Sequence, residues 1–184
     1  MTLSIFIKFK RLTAYLSVLA WLCCISSPVA AEPLQIFVSV VPQKYFAERV
    51  GGEQVKVESM VQPGFSPETY EPTAQQISAL SKAQLYIRVG MPFEEAWMKR
   101  IQGVNPAIVI LDAREGVKLR SLEAHAHTEQ TATNTTASNT EIDPHLWVSP
   151  RIAKQMAQQM ATSFSKLRPE QTELFNTNYT KFAA

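Results

Sequence analysis

The sequence predicts an α/β fold: a mainly parallel, four-stranded sheet flanked by helices. Short apolar runs rich in β-branched residues recur between residues 34 and 111, and stretches with helical spacing separate them. Glycine or proline stands at most of the boundaries. Strands and helices in strict alternation favour parallel pairing, because each strand is reached through a helical crossover.

Residues 34–41 form the first run, and its near-continuous apolar character suits a strand covered on both faces. Pro42 stops it and can open a helix over residues 43–50, which Gly51 and Gly52 end. Val55, Val57, Ser59 and Val61 alternate with Lys56, Glu58 and Met60, the pattern of a second strand. Thr73 is placed to cap a helix running to about Lys82, with Ile77 and Leu80 facing inward. Residues 85–89, closed by Gly90, make a third strand. Pro92 then opens a helix with Phe93, Trp97 and Ile101 on one face, and residues 107–111 are the fourth strand. Residues 121–140 are rich in Thr, Asn, Ala and Glu with hardly an apolar side chain, which predicts a flexible loop. The chain returns to the fold at residues 143–150. There Ser149 is placed to cap, and Pro150 to open, a long helix with Ile152, Met156, Met160 and Phe164 four residues apart. A further helix after Pro169 carries Leu174, Tyr179 and Phe182.

Residues 1–31 read as a cleavable export signal. Lys8, Lys10 and Arg11 precede an apolar stretch over residues 12–25, and small residues follow it. Val29 and Ala31 suit the −3 and −1 positions, so cleavage is expected after Ala31. The apolar stretch is shorter than the roughly 20 residues of a membrane-spanning helix. Trp21 and Leu22 stand where a lipoprotein signal wants small residues before Cys23. Both cysteines, Cys23 and Cys24, lie in this leader, so the mature chain has neither disulfides nor thiolate ligands. Any metal must then be held by His, Asp or Glu. The leader also holds three of the 18 Lys+Arg and none of the 16 Asp+Glu, leaving 15 against 16. The formal charge of +2 thus belongs to the targeting segment, and nothing points to nucleic acid as a partner. Residues 32–184 suit one domain with one core.

Two segments could carry chemistry. The first is the proline-punctuated loop over residues 62–72, which holds Glu68 and Glu71 just after the second strand. Ligands gather at the carboxyl ends of parallel strands, and a loop carboxylate there can bind a cation or simply face water. The second is Asp143-Pro144-His145-Leu146-Trp147. A neutral imidazole approached through proline and rooted by apolar neighbours suits Zn²⁺ or Mn²⁺, with its other nitrogen oriented by an acceptor. Asp143 could be that acceptor or a turn cap, and the histidine could equally be a structural hydrogen-bonding residue. His125 and His127, one residue apart, could chelate a divalent ion weakly.

Read in order, several segments resemble the N-terminal half of the zinc/manganese solute-binding proteins of bacterial ABC uptake systems. They are Ser39-Val40-Val41-Pro42-Gln43-Lys44-Tyr45-Phe46, Val50-Gly51-Gly52, Pro67-Glu68-Thr69-Tyr70-Glu71-Pro72 and Ser81-Lys82-Ala83-Gln84-Leu85. Gly90 with Phe93-Glu94, the Asp143–Trp147 segment and Asn178-Tyr179 continue the match. The resemblance runs nearly end to end through residues 32–184. It implies two α/β lobes joined by a long helix, a metal bound between them, and a receptor rather than an enzyme. His145 inherits a ligand role. The family loop carries His where Glu68 stands, so Glu68 is either a substituted ligand or the mark of a lost one. A carboxylate ligates Zn²⁺ and suits the harder Mn²⁺ and Fe²⁺. Residues 121–140 correspond to a His-rich loop of the family, which makes His125 and His127 candidates for weak zinc capture.

The family's other two ligands belong to a second lobe that is not expected within these residues. The expected organisation is a signal peptide over 1–31, an N-terminal lobe over 32–150, and a helical segment over 151–184 leading toward the connecting helix. The implied function is a monomeric periplasmic receptor for Zn²⁺, or else Mn²⁺ or Fe²⁺, that serves an inner-membrane ABC permease. The lobe by itself is expected to bind weakly. Two other classes remain in view, a surface adhesin and a secreted metallohydrolase. The hydrolase would need three protein ligands and an open water position, and the sequence has no His-x-x-x-His pair and no Gly-x-Ser-x-Gly elbow.

Overall fold

Each of the four expected strands forms, and all pair in parallel. The computed structural model describes residues 31–118 and 145–184, of which Pro33–Ala184 belong to one compact unit. The leader, His125, His127 and Asp143 lie outside the described residues. Strands β1 (Leu34–Val38), β2 (Val55–Ser59), β3 (Leu85–Arg88) and β4 (Val109–Asp112) lie in the order β2-β1-β3-β4. Ile36 sits opposite Val57 on one side and Leu85 on the other, and Tyr86 opposite Ile110. Helices α1 (Val41–Gly51), α2 (Ala74–Leu80) and α3 (Pro92–Val104) connect the strands. Helices α4 (Pro150–Leu167) and α5 (Thr172–Ala183) follow and pack on each other and on α1.

Consecutive residues of β1 (Ile36, Phe37, Val38) and β3 (Leu85, Tyr86, Ile87) are all buried, so the centre of the sheet is covered on both faces. Each large apolar side chain taken fully out of water there contributes about 1.5–3 kcal/mol. The edge strand β4 is less covered, with Val109 exposed.

Element ends differ from the sequence expectation where side chains intervene. β1 stops at Val38 because Gln43 Oε1 accepts the backbone N–H groups of Ser39 (3.1 Å) and Val40 (3.2 Å), turning the chain into α1. Pairing with β1 does continue past β2, through Met60 N–H to the Val38 carbonyl and Val61 N–H to the Ser39 carbonyl. Met60, expected outward by alternation, is fully buried where the chain leaves the pleat. Thr73 caps α2 as expected, its Oγ1 accepting the Gln76 N–H at 3.2 Å while Gln76 Oε1 accepts the Thr73 N–H at 3.0 Å. Ser149 occupies the N-cap position of α4, but its side chain makes no capping hydrogen bond; its carbonyl accepts the Ala153 N–H instead.

The largest correction falls in α5. Leu174 is 38% exposed, whereas Phe175 is fully buried and meets Phe164 of α4 edge-on at 5.6 Å. Phe175, Tyr179 and Phe182 follow i, i+4, i+7 spacing and make the inward stripe, with Leu174 one position out of phase. Asn178 completes the docking by donating Nδ2 to the Val50 carbonyl at 3.0 Å.

Candidate metal centre

The loop after β2 is shaped by its own sequence. Gln62-Pro63-Gly64-Phe65 forms a turn closed by Phe65 N–H to the Gln62 carbonyl at 3.2 Å, with Gly64 at φ +88°. Proline second and a positive-φ glycine third are what a type II turn demands. The far end of the loop is rooted by Tyr70, which is buried between the rings of Phe65 (5.8 Å) and Phe93 (5.9 Å). The Tyr70 hydroxyl donates to Gln76 Oε1 at 2.8 Å, and Gln76 Nε2 donates to the Met60 carbonyl at 2.7 Å.

Between these anchors Glu68 stands exposed. Ser66 Oγ donates to Glu68 Oε2, and the Glu68 backbone N–H returns to Ser66 Oγ at 3.3 Å. The Ser66 hydroxyl, then the backbone N–H, then the charge of His145 hold the Glu68 carboxyl below its ordinary range; slight desolvation acts the other way. Glu68 therefore stays an anion through the neutral range. Ser66 was not among the residues singled out from sequence, although a serine two positions before a carboxylate is a recognisable turn signature.

His145 opens the second of the two described segments. It precedes a single 3₁₀ turn, Leu146–Val148, in which Leu146 is buried and Trp147 half-buried. The imidazole meets the Trp147 ring edge-on at 5.2 Å, so the aromatic neighbour orients it while leaving it exposed. It borders a depression of about 230 Å³ shared with Lys118 and Arg151. These cations oppose a metal ion electrostatically. The fold thus brings Glu68 and His145 within electrostatic reach of one another. Glu71 goes elsewhere, to a separate depression lined by Glu58, Gln62 and Phe65.

One imidazole nitrogen and one carboxylate oxygen suit a borderline or hard divalent cation. Among the described residues no group of three His, Cys, Asp or Glu side chains could hold a metal ion. Two such donors alone would be two short of the four that a closed zinc site takes.

A carboxylate after the next strand is in a different state. Glu94, in the first turn of α3, is fully buried and accepts from Val89 N–H (2.9 Å), Gly90 N–H (2.8 Å) and Arg88 Nε (3.1 Å). Arg88 also faces Asp112 at 3.7 Å, and Asp112 holds Arg114 at 2.7 Å.

Residues 36–184 match the family described as zinc-uptake complex component A, periplasmic. The chain belongs to this family. Its members are metal-binding transport receptors, not enzymes, which sets aside the hydrolase alternative. The chain is 24% identical to the zinc-binding lipoprotein AdcA of Streptococcus pneumoniae, across 93% of this chain and 34% of that protein. It is 21% identical to the high-affinity zinc uptake system protein ZnuA of Bacillus subtilis, across 86% of this chain and 50% of that protein. A crystal structure of ZnuA superposes with a TM-score of 0.70 at 30% identity, over 82% of this chain and 53% of that one. The chain spans between a third and about half of the length of these relatives.

Proposed function

We propose that this chain is the first lobe of a periplasmic receptor that captures a divalent metal ion, Zn²⁺ foremost, for an inner-membrane ABC permease. The reading is supported by the family to which residues 36–184 belong and by His145 and Glu68, far apart in sequence, lying within electrostatic reach of one another. In the proposed site His145 supplies a nitrogen and Glu68 an oxygen, and a second lobe contributes the remaining donors on closure. The names of the relatives, which speak of zinc binding and zinc uptake, support Zn²⁺ over Mn²⁺ or Fe²⁺ as the cargo. Export follows from the leader, with cleavage after Ala31, and residues 32–184 act as a monomer. His125 and His127 would add only weak, auxiliary capture.

Zinc titration of the chain, of His145→Ala and of Glu68→Ala tests the reading. Each substitution should weaken binding by at least about tenfold, the loss that even a partner of a ligand causes. Tight, stoichiometric Zn²⁺ binding that survives both substitutions would sink it. N-terminal sequencing of the exported product should begin at Glu32.

A further inference from the structure

We propose that Ser66 sets the metal preference of this site by biasing Glu68 toward coordination through a single oxygen. The inference rests on the reading of Glu68 and His145 as ligands. The Ser66 hydroxyl donates to Oε2 of Glu68 while accepting the Glu68 N–H, and Oε1 has no hydrogen-bond partner among the described residues. Pro67 lies between them and fixes the backbone angle across which this small ring closes. The ring stands between two anchored ends, the turn at Gln62–Phe65 and the buried Tyr70, so the carboxylate is positioned by the loop rather than sweeping through solvent.

The number of oxygens a carboxylate presents decides what it can coordinate. With both free, it can chelate and add a position to the coordination sphere, which suits ions that take six oxygen-rich ligands, such as Mn²⁺. A hydroxyl proton on one oxygen takes one of its lone pairs and turns the carboxylate toward binding through the other, which suits four-coordinate Zn²⁺. Replacing a histidine by a glutamate would by itself move a site toward harder ions. Ser66 works against that shift by favouring a single carboxylate bond. Ser66 is thus a positioning residue: it acts on the metal through Glu68 and need not touch it.

The test uses the full chain and its Ser66→Ala, Ser66→Thr and Glu68→Ala variants. Zn²⁺ and Mn²⁺ affinities are read by competition with a chromogenic chelator, and coordination number from the visible spectrum of bound Co²⁺. Ser66→Ala should raise the Zn²⁺ Kd by about tenfold, the lower end of losses from removing a ligand's hydrogen-bond partner, and leave the Mn²⁺ Kd unchanged or lower. Its Co²⁺ bands should weaken as coordination expands, and Ser66→Thr, which keeps the hydroxyl, should restore both readouts. The proposal is overturned if Glu68→Ala weakens binding while Ser66→Ala changes neither metal, or weakens both equally. If Glu68→Ala leaves both affinities unchanged, the ligand reading fails first and the proposal falls with it.

Discussion

Glu94 and Glu68 both follow the carboxyl end of a strand, and their surroundings leave them in opposite states. Glu94 is sealed from solvent, and both its oxygens face donors from Val89, Gly90 and Arg88. Such a carboxylate has nothing left to offer a ligand; it ties the end of β3 to the start of α3 and neutralises Arg88. Glu68 is open to solvent and holds a single hydroxyl at one oxygen, so its charge remains available to a cation. Residue type is the same in the two places. The difference lies in how many donors the fold has already spent on each.

The largest effect should come from Glu94→Ala, which strands two backbone N–H groups in the interior and takes away one of the two carboxylates that face Arg88. About 3–5 kcal/mol of stability should be lost, read by chemical denaturation. A Glu94 variant that keeps its stability but loses metal would reverse the assignment. His145→Ala should do the converse: a Zn²⁺ Kd raised on the order of 10–100-fold, with stability within about 0.5 kcal/mol of the parent, as for an exposed side chain. Gly90→Ala tests the buried side again, because Gly90 has φ +85° and an added Cβ would run into the Arg114 side chain. About 1–3 kcal/mol should be lost by thermal melting, from left-handed strain before any clash is counted. Thr73→Ala, which removes the cap of α2 beside the Glu68 loop, should cost about 1 kcal/mol and leave Glu94 and its partners undisturbed in an NMR spectrum.

Acid sharpens the same contrast. Burial pushes the Asp112 carboxyl up, but the Arg114 hydrogen bonds and charge, with Arg88 behind them, outweigh it and hold the group below its ordinary value of 3.8. A carboxylate whose folded value lies below its unfolded one stabilises the fold above the unfolded value, and loses that contribution as pH falls through the folded one. Stability should therefore hold down to about pH 4 and decline below it, and Asp112→Asn should flatten that limb of the curve.

Much of this was legible from the sequence. The alternation of β-branched runs with helical stripes, punctuated by Pro42, Gly90 and Pro92, located every strand to within two residues at its start. The Thr73-x-x-Gln76 spacing announced its cap. His145 could be nominated because a proline precedes it and apolar residues follow. The register of α5 was legible too, yet Leu174 drew attention away from the Phe175, Tyr179 and Phe182 stripe. What could not be read were the states of the carboxylates. Glu58, Glu68, Glu71 and Glu94 look alike in a string of letters, and only one of them proves fully buried.

By itself, then, the sequence determined which segments extend, which coil and where they turn. These are properties of a few neighbouring residues: backbone sterics, side-chain period and local capping. The tertiary structure alone decided that Glu68 comes within electrostatic reach of His145, that Glu71 faces a separate depression, and that Glu94 is saturated. Each outcome depends on the order β2-β1-β3-β4 and on how the helices close over it. Charge and coordination act through space. Any joint action of residues 68 and 145 therefore depends on the distance at which the fold holds them.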